Sequence, residues 1–373
     1  MLGIILYVKY LTTRRLLQLG ISLVFSLYFG IKFNLFLNLK NCPNCYGMEL
    51  CHFFNERQIG IAWTGWISFV FHPKLTKSVF HGVINETKLI VFKRKHTGHR
   101  KLTPTDLDAV REKYMLNEDE EPHNVILCPG FGDLEPLFRH LYDEECKGHL
   151  WLELSSSIEP LLLKYFQKAG QFPVPGYFGA CGDFIFEEDK GNSLTDYLSS
   201  DFQTRAHLSA ELLKMAHVFT FGSPEFVFYF TDVSQYNLAV DSNGKVSLID
   251  LDNVIILDRR KYEKVLPVTG DTKREVHKSE ILEDYEYAYS PSDICNHYLS
   301  DHNYFTVCVH LLAHPENGLL REIPMNVTST YPTISDLLRE CTEPTVESGG
   351  RIRAGEKLQV LLEGLTRDYK VPH

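Results

Sequence analysis

The sequence predicts an α+β protein in which a strand-rich half precedes a helix-rich half, behind an apolar N-terminal segment. Two observations support this fold class. Runs of β-branched and aromatic residues, punctuated by Gly and Pro, recur at 59–95 and 173–188. Apolar residues at helical spacing dominate much of the chain after residue 189. The 373 residues, of which 44% are apolar, suffice for roughly two domains.

The same patterns predict each element in order. A polar stretch at 96–122, with an acidic run at 118–121, is predicted to be a loop or an insertion. Asn243-Gly244 predicts a tight hairpin turn. The predicted strands lie at 59–71, 78–80, 88–93, 173–188, 226–230, 238–240 and 246–249. The predicted helices lie around 134–141, 161–166, 194–198 and 205–219, and from 294 to the amphipathic segment 355–365.

The N-terminal apolar segment predicts a membrane anchor. Residues 16–31 carry no charge, and apolar character continues to Leu39, which is enough to cross a hydrocarbon core of ~30 Å. Basic residues precede the segment and predict a cytosolic tail at 1–15. A cleaved signal peptide is the alternative, but residues 33–40 lack a small-residue cleavage site. We therefore expect an uncleaved, single-pass type II signal anchor with a lumenal chain behind it.

The cysteines and sequons agree with a lumenal chain. All nine cysteines follow the apolar segment, and an odd number leaves one thiol free or intermolecular. Cys42, Cys45 and Cys51 form either a zinc knuckle or a disulfide-linked cap. The next cysteine is 77 residues away, so disulfides are favoured. Asn85 and Asn326 begin glycosylation sequons, which predict a glycoprotein.

Charge and histidine patterns exclude two classes of function. The net charge of −10, without a long run of Lys or Arg, argues against a nucleic-acid-binding protein. Sixteen histidines are present, but none lies in the zinc-binding motifs of metalloproteases or deaminases. We therefore expect neither a nucleic-acid partner nor a histidine-based metal enzyme.

The most specific indication of a reaction comes from three residues, Asp232, Asn237 and Asp250. Asp232 and Asn237 have the Asp-x4-Asn spacing of the protein-kinase catalytic loop, and Asp250 follows after the predicted hairpin. Phosphoryl transfer needs one carboxylate that takes the proton of the attacking hydroxyl. It also needs amide and carboxylate oxygens that hold Mg²⁺ or Mn²⁺ on the phosphates of ATP. We predict Asp232 as the catalytic base and Asn237 and Asp250 as metal ligands; the alternative is three turn or hairpin-flank residues.

A lysine and a glutamate complete the predicted ATP site. Lys93 ends a predicted strand, as does the kinase lysine that binds the α- and β-phosphates. Its partner should be a glutamate on a following helix, and Glu153 and Glu159 are the two candidates. Glu159 precedes Pro160, which disfavours a position in the middle of a helix, so the choice stays open.

Asp252 has two interpretations. It stands where a kinase has Gly, and it is either a second metal ligand or a solvated turn residue. Together with Asp250 it also forms the Asp-x-Asp pattern of a metal-dependent carbohydrate transferase. That third class of function leaves the spacing of Asp232 and Asn237 unexplained.

Four segments carry a resemblance to a known family: Cys42-Pro-Asn-Cys-Tyr-Gly…Cys51, Tyr177-Phe-Gly-Ala-Cys-Gly182, Asp232-Val-Ser…Asn237 and Asp301-His-Asn-Tyr…Cys308. They resemble the divergent protein kinase domain family of the secretory pathway, in the branch that contains deleted in autism protein 1. The resemblance spans residues 41–370 and implies a kinase-like bilobal fold, with a β-rich N-lobe and an α-rich C-lobe. It also implies a Golgi or endoplasmic-reticulum location or secretion, with secretory-pathway proteins or glycans as partners.

Departures from an ordinary kinase keep two functions open. No Gly-x-Gly-x-x-Gly loop precedes Lys93, Phe230-Thr231 replaces His-Arg, and no Ala-Pro-Glu follows Asp250. An ATP-dependent kinase is favoured by the presence of Lys93, Asp232, Asn237 and Asp250. The missing glycine loop favours a pseudokinase that acts as a binding or signalling module. The predicted organisation is a cytosolic tail (1–15), a signal anchor (16–39), a Cys-rich juxtamembrane cap (40–58), an N-lobe with an insertion (59–188) and a C-lobe (189–373).

Overall fold

The computed structural model describes two compact units. The first unit comprises Met1–Lys88, Phe92–Leu102 and Gly179–Phe186, and the second comprises Leu89–Val91, Thr103–Phe178 and Glu187–His373. The predicted domain boundaries stay predictions. The described residues are 15, 18–27, 46–47, 49–52, 59–61, 77–84, 88–95, 125–128, 157–182, 184–260, 274–275, 289–345 and 350–367.

Among the described residues, thirteen strands and seven α-helices are delimited, in addition to the helical residues 18–27. The strands are β1 Ile59–Ile61, β2 Lys77–Ile84, β3 Lys88–Lys95, β4 Val125–Cys128, β5 Tyr177–Cys181, β6 Phe184–Glu188, β7 Asn192–Ser193, β8 Phe226–Phe230, β9 Leu238–Val240, β10 Val246–Leu248, β11 Val254–Asp258, β12 Arg274–Glu275 and β13 Leu299–Ser300. The α-helices are α1 Glu159–Ala169, α2 Phe202–Phe221, α3 Pro291–Cys295, α4 His302–Phe305, α5 Met325–Thr330, α6 Thr333–Thr342 and α7 Gly350–Leu365. Short 3₁₀ turns lie at Leu194–Tyr197 and Gln235–Asn237, and a π-helix lies at Thr306–Leu312.

A five-stranded sheet has the order β1-β2-β3-β6-β5. Aromatic side chains from neighbouring strands form its core, because alternate residues of a strand point to the same face. Phe80 and Phe92 stack with ring centroids 5.1 Å apart, and Phe92 also contacts Phe184 and Phe186. The predicted strands in 59–95 are confirmed where residues are described, whereas 62–76 lie outside the described residues. The predicted strand region 173–188 is confirmed for β5 and β6 only, because residues 173–176 are described and lie outside any strand.

The segment around residues 46–52 is fastened to the turn after β5. Tyr46 N donates to Gly182 O at 3.1 Å, and Gly182 N donates in return to the carbonyl of Gly47 at 3.0 Å. A disulfide joins Cys51 to Cys181, so the predicted oxidation of Cys51 is confirmed, although its partner lies 130 residues away. Cys42 and Cys45 lie outside the described residues.

Helix α1 and β8 supply much of the aromatic core of the second unit. Phe166 of α1 packs against Phe228 of β8 with centroids 4.8 Å apart. The central strand β11 pairs antiparallel with β8 and parallel with β4. A disulfide between Cys128 and Cys295 ties β4 to α3, and another, between Cys308 and Cys341, ties the π-helix to α6.

The boundaries of α1 explain the position of Glu159. Pro160 lies in the first turn, where a missing N–H costs no hydrogen bond. The helix therefore begins at Glu159, which places this carboxylate at the N-terminus of α1. The helix ends at Ala169 and is capped by Gly170, whose φ of 76° is favourable only for glycine and a few polar residues.

The N-terminal segment is described only in part. Residues 18–27 are helical, and several of their apolar side chains are exposed, including Leu19, Leu23 and Phe25. Among the described residues, no helix has both the length and the apolarity that a membrane span requires. The predicted helix at 134–141 lies outside the described residues, whereas the predicted strands at 226–230, 238–240 and 246–249 are confirmed to within one residue.

Candidate functional site

The loop between β8 and β9 carries Asp232 and Asn237 and is closed on itself. Asn237 donates its side-chain amide to the main-chain carbonyl of Asp232 at 2.9 Å. The main-chain N–H of Asn237 also donates to the carbonyl of Ser234 at 3.0 Å, which forms the single turn of 3₁₀ helix. These bonds bring the two ends of the Asp-x4-Asn motif together.

Two buried side chains attach this loop to the body of the second unit. Val233 and Gln235 point inward, and the Gln235 side-chain amide donates to the carbonyl of Asn317 at 2.9 Å. Ser193 of β7 donates its hydroxyl to the carbonyl of Gln235 at 3.4 Å. The loop is therefore held by packing and hydrogen bonds to separate parts of the chain.

The predicted hairpin brings Asn237 next to the segment that carries Asp250. Strands β9 and β10 pair antiparallel, with Leu238 opposite Leu248. One residue beyond this pair, Ile249 N donates to the carbonyl of Asn237 at 2.9 Å. Asp250 follows directly, so the two predicted metal ligands lie at the open end of one hairpin.

Asn253 contacts the predicted catalytic base. Its side-chain amide donates to Asp232 Oδ2 at 3.3 Å, and its carbonyl accepts from Thr231 N at 3.1 Å. These contacts arise because β11 starts at Val254 and pairs with β8, which ends just before the loop. Sequence reasoning missed Asn253, since only the pairing of β8 with β11 reveals it.

Three carboxylates form the strongest candidate metal site among the described residues. One ligand oxygen each from Glu159, Asp250 and Asp252 lies within 4.8 Å of the other two. Glu159 and Asp252 are buried, and Asp250 is half-buried. Carboxylates at this separation repel one another, and a divalent cation would offset the repulsion. Oxygen ligands of this kind suit Mg²⁺, Mn²⁺ or Ca²⁺.

Ser157 orients one member of this cluster. Its hydroxyl donates to Asp252 Oδ1 in a buried hydrogen bond between residues 95 positions apart. Asp250 Oδ1 accepts from the main-chain N–H of Asp252 at 3.4 Å. Asp252 is thus a buried member of the cluster rather than a solvated turn residue. No sequence signal marked Ser157, because its role depends on a contact with a residue 95 positions away.

Glu159 lies with the acidic cluster, whereas the sequence suggested it as a partner for Lys93. Lys93 lies on β3 with 9% of its surface exposed, and it belongs to the first unit. Glu153 lies outside the described residues. The pairing of Lys93 with either glutamate therefore stays a prediction, as do the assigned roles of Asp232, Asn237 and Asp250.

Comparison with known proteins places this site in a family. A family model described as the protein-kinase domain of FAM69 matches residues 150–344, about half of the chain. The human protein divergent protein kinase domain 2A is 30% identical over 386 residues, which cover 90% of this chain and 89% of the relative. The chain belongs to the divergent protein kinase domain family. The mouse 2A protein is 26% identical with the same coverage.

A second group of divergent protein kinase domain proteins matches a shorter region. Bovine divergent protein kinase domain 2B is 25% identical over 141 residues, which cover 38% of this chain and 32% of that protein. The segment that matches the family model contains Glu159, Asp232, Asn237, Asp250 and Asp252. The resemblance inferred from the sequence is thus confirmed, together with a kinase-like α+β fold that has sheet-rich and helical parts.

Proposed function

We propose that this chain is a divergent kinase that transfers the γ-phosphoryl group of ATP to a hydroxyl group of a secreted protein or glycan. One observation carries the proposal: the second unit contains both the closed Asp232 loop and the carboxylate cluster of Glu159, Asp250 and Asp252. Membership of a kinase-like family supports the same reaction class. The fold alone specifies no reaction, so the proposal depends on these side chains.

Asp232 is the proposed catalytic base. Its carboxylate takes the proton of the acceptor hydroxyl as the acceptor oxygen bonds to the γ-phosphorus. The bond between the γ-phosphorus and its bridging oxygen then breaks, and ADP leaves with that oxygen. The hydrogen bonds from Asn253 to the carboxylate and from Asn237 to the Asp232 carbonyl hold the base in one orientation.

The donor set fits a hard divalent cation. Glu159, Asp250 and Asp252 offer carboxylate oxygens, and Asn237 offers an amide oxygen from the other side of the hairpin. A bound Mg²⁺ or Mn²⁺ would neutralise negative charge on the ATP phosphates. Ser157 orients Asp252, and the first turn of α1 fixes Glu159, so two ligands are positioned by the fold itself.

Lys93 is assigned to the α- and β-phosphates of ATP on the strength of its strand motif. It is buried, and an ammonium group removed from bulk water interacts more strongly with an anion. Substitution of Lys93 should therefore weaken binding of ATP rather than binding of the acceptor.

A pseudokinase is the second candidate function, and one specific feature favours it. No Gly-x-Gly-x-x-Gly loop precedes Lys93, so the backbone cradle that covers the phosphates in ordinary kinases is missing. Such a protein would keep the fold as a lumenal or secreted binding or signalling module. Turnover of ATP separates the two functions.

We further propose that the chain is a single-pass type II protein of the Golgi or endoplasmic reticulum, or a secreted product of that pathway. Three disulfides support an oxidising compartment. The exposed apolar side chains of helical residues 18–27 support an N-terminal anchor that continues through the apolar sequence up to residue 39.

Transfer of labelled phosphate tests the enzymatic proposal. The full chain would be incubated with γ-labelled ATP, Mn²⁺ and a glycoprotein extract of the secretory pathway. Asp232→Asn should reduce labelling by about 10²-fold or more, because it removes the general base. Asp293→Asn is the matched control, since Asp293 is exposed and lies on α3. No labelling by wild type or Asp232→Asn when ATP still binds would favour the pseudokinase, and equal labelling by the two would contradict the role of Asp232 as the base.

A further inference from the structure

Tyr236 is an exposed aromatic residue inside the loop that carries the proposed base. Its exposed fraction is 77%, whereas the next most exposed described tyrosine, Tyr331, has 39%. The residues on either side behave differently, because Gln235 is buried and Asn237 donates to Asp232. The loop therefore holds its inner side chains firmly while it presents one aromatic ring to solvent.

The acceptor of a phosphoryl group must come close to the loop that carries Tyr236. A base and the hydroxyl that it deprotonates lie within hydrogen-bonding distance of each other. Tyr236 is four residues from Asp232, and the bond from Asn237 to the Asp232 carbonyl folds those residues into a compact turn. An acceptor whose hydroxyl reaches the Asp232 carboxylate therefore lies next to the turn that exposes Tyr236.

Polar side chains next to the loop favour a ligand rich in hydroxyl groups. Strand β7 and the 3₁₀ turn Leu194–Tyr197 pack against the turn that contains Tyr236. They carry Asn192 and Asp196, both of which are exposed. An amide both donates and accepts hydrogen bonds and a carboxylate accepts them, which matches the hydroxyl groups on the edge of a sugar ring. The C–H face of the same sugar suits the face of an aromatic side chain that has a polar tip.

We infer that Tyr236 is the platform on which a sugar acceptor stacks, and that it determines acceptor specificity. The inference rests on the proposed kinase function and names its acceptor class as a glycan. Tyr236 contacts the sugar that carries or adjoins the reacting hydroxyl, and Asn192 and Asp196 bind its other hydroxyl groups. Tyr236 takes no part in binding ATP or metal.

Saturation-transfer NMR on the full chain tests this assignment. The probes are the methyl glycosides of mannose, xylose, galactose and N-acetylglucosamine, with a mixture of Ser- and Thr-containing peptides as the alternative acceptor. At least one glycoside should bind wild type and Tyr236→Phe. Affinity should fall by about tenfold or more in Tyr236→Ala and Tyr236→Gln, as for the loss of an aromatic contact residue. Tyr331→Ala, which removes another exposed ring, should bind like wild type.

Several outcomes would overturn the assignment. They are no binding of any glycoside to wild type, unchanged binding to both ring-deleting variants, or Tyr236-dependent binding of the peptides alone. Unchanged melting temperatures without ligand would show that the variants are folded. A metal-dependent ATP shift measured on the same samples tests the proposed kinase function separately. An ATP shift without glycoside binding would reject the acceptor assignment but not the kinase proposal. Glycoside binding without an ATP shift would reject the ATP site but not the sugar site.

Discussion

The side-chain amide of Asn237 donates to the main-chain carbonyl of Asp232 at 2.9 Å. The residue predicted to bind metal therefore also shapes the loop that carries the predicted base. This double role predicts that loss of the amide donor harms the fold as well as the chemistry.

Asn237→Ala and Asn237→Asp should both lower the free energy of unfolding, by about 1 kcal/mol, because neither side chain can donate to the Asp232 carbonyl. Urea unfolding monitored by circular dichroism measures the loss. Asn296→Ala, at an exposed position of the second unit, should change stability little. If Asn237→Asp were as stable as wild type, the closed loop would not depend on the amide donor.

The disulfide between Cys51 and Cys181 predicts a specific peptide map. Non-reducing digestion of the full chain should yield Cys51–Cys181, Cys128–Cys295 and Cys308–Cys341 as linked peptides. Cys51→Ser should lower the free energy of unfolding by about 2–5 kcal/mol, because the disulfide restricts the conformations of the unfolded chain. The double variant Cys51→Ser/Cys181→Ser should be no less stable than the single one. A bond from Cys51 to Cys42 or Cys45, or stoichiometric zinc, would contradict the map.

Burial lowers the pKa of His310 to about 4 from its usual 6.5, with a smaller contribution from nearby His314. The folded protein keeps His310 neutral, whereas the unfolded chain binds a proton below pH 6.5. Its contribution to stability is therefore complete above pH 6.5 and is lost as the pH falls from there towards 4.

Lowering the pH from 7.5 to 5.0 should cost wild type about 2 kcal/mol more than His310→Gln, at about 1.4 kcal/mol per pH unit below 6.5. Urea unfolding at the two pH values gives the difference. His52→Gln removes an exposed histidine and is the control. An equal loss of stability in His310→Gln and wild type would show that folding does not lower the pKa of His310.

Asn326 provides a test of the lumenal location. Its side chain is exposed on α5, so that a glycan can be attached to it without displacing other residues. Endoglycosidase treatment of the chain expressed in cells should increase its gel mobility, and Asn326→Gln should remove one step of that shift. Asn296→Gln, at an exposed asparagine outside any sequon, should leave it intact. No shift, with the chain in the cytosol, would contradict the secretory proposal.

Local sequence patterns were sufficient to predict most of the described strands near the site. The buried run Phe226–Phe230 and the Asn243-Gly244 turn predicted β8 and the hairpin, because strand runs and tight turns depend on neighbouring residues. Helix α2, predicted at 205–219, begins three residues earlier at Phe202, because Asp201 caps it by accepting from Thr204 N at 2.9 Å.

Long-range contacts were not predictable in the same way. Ser157 meets Asp252 across 95 residues, and Cys51 meets Cys181 across 130. Periodicity reports which face of an element is buried but not which partner covers it. Glu159 illustrates the limit. Pro160 disfavoured a position in the middle of a helix, but it did not show that the Glu159 carboxylate lies next to Asp250 and Asp252.

The measurement that tests the central proposal most directly is metal-dependent binding of ATP to the full chain, monitored by its melting temperature. A ligand that binds only the folded state at a hundredfold excess over its Kd stabilises the protein by about 2.7 kcal/mol. ATP with Mg²⁺ or Mn²⁺ should therefore raise the melting temperature, and ATP without metal should do so much less. Asp250→Ala should abolish the metal-dependent part, whereas Asp293→Ala should retain it. No shift in wild type at millimolar ATP and metal, or an unchanged shift in Asp250→Ala, would contradict the proposed site.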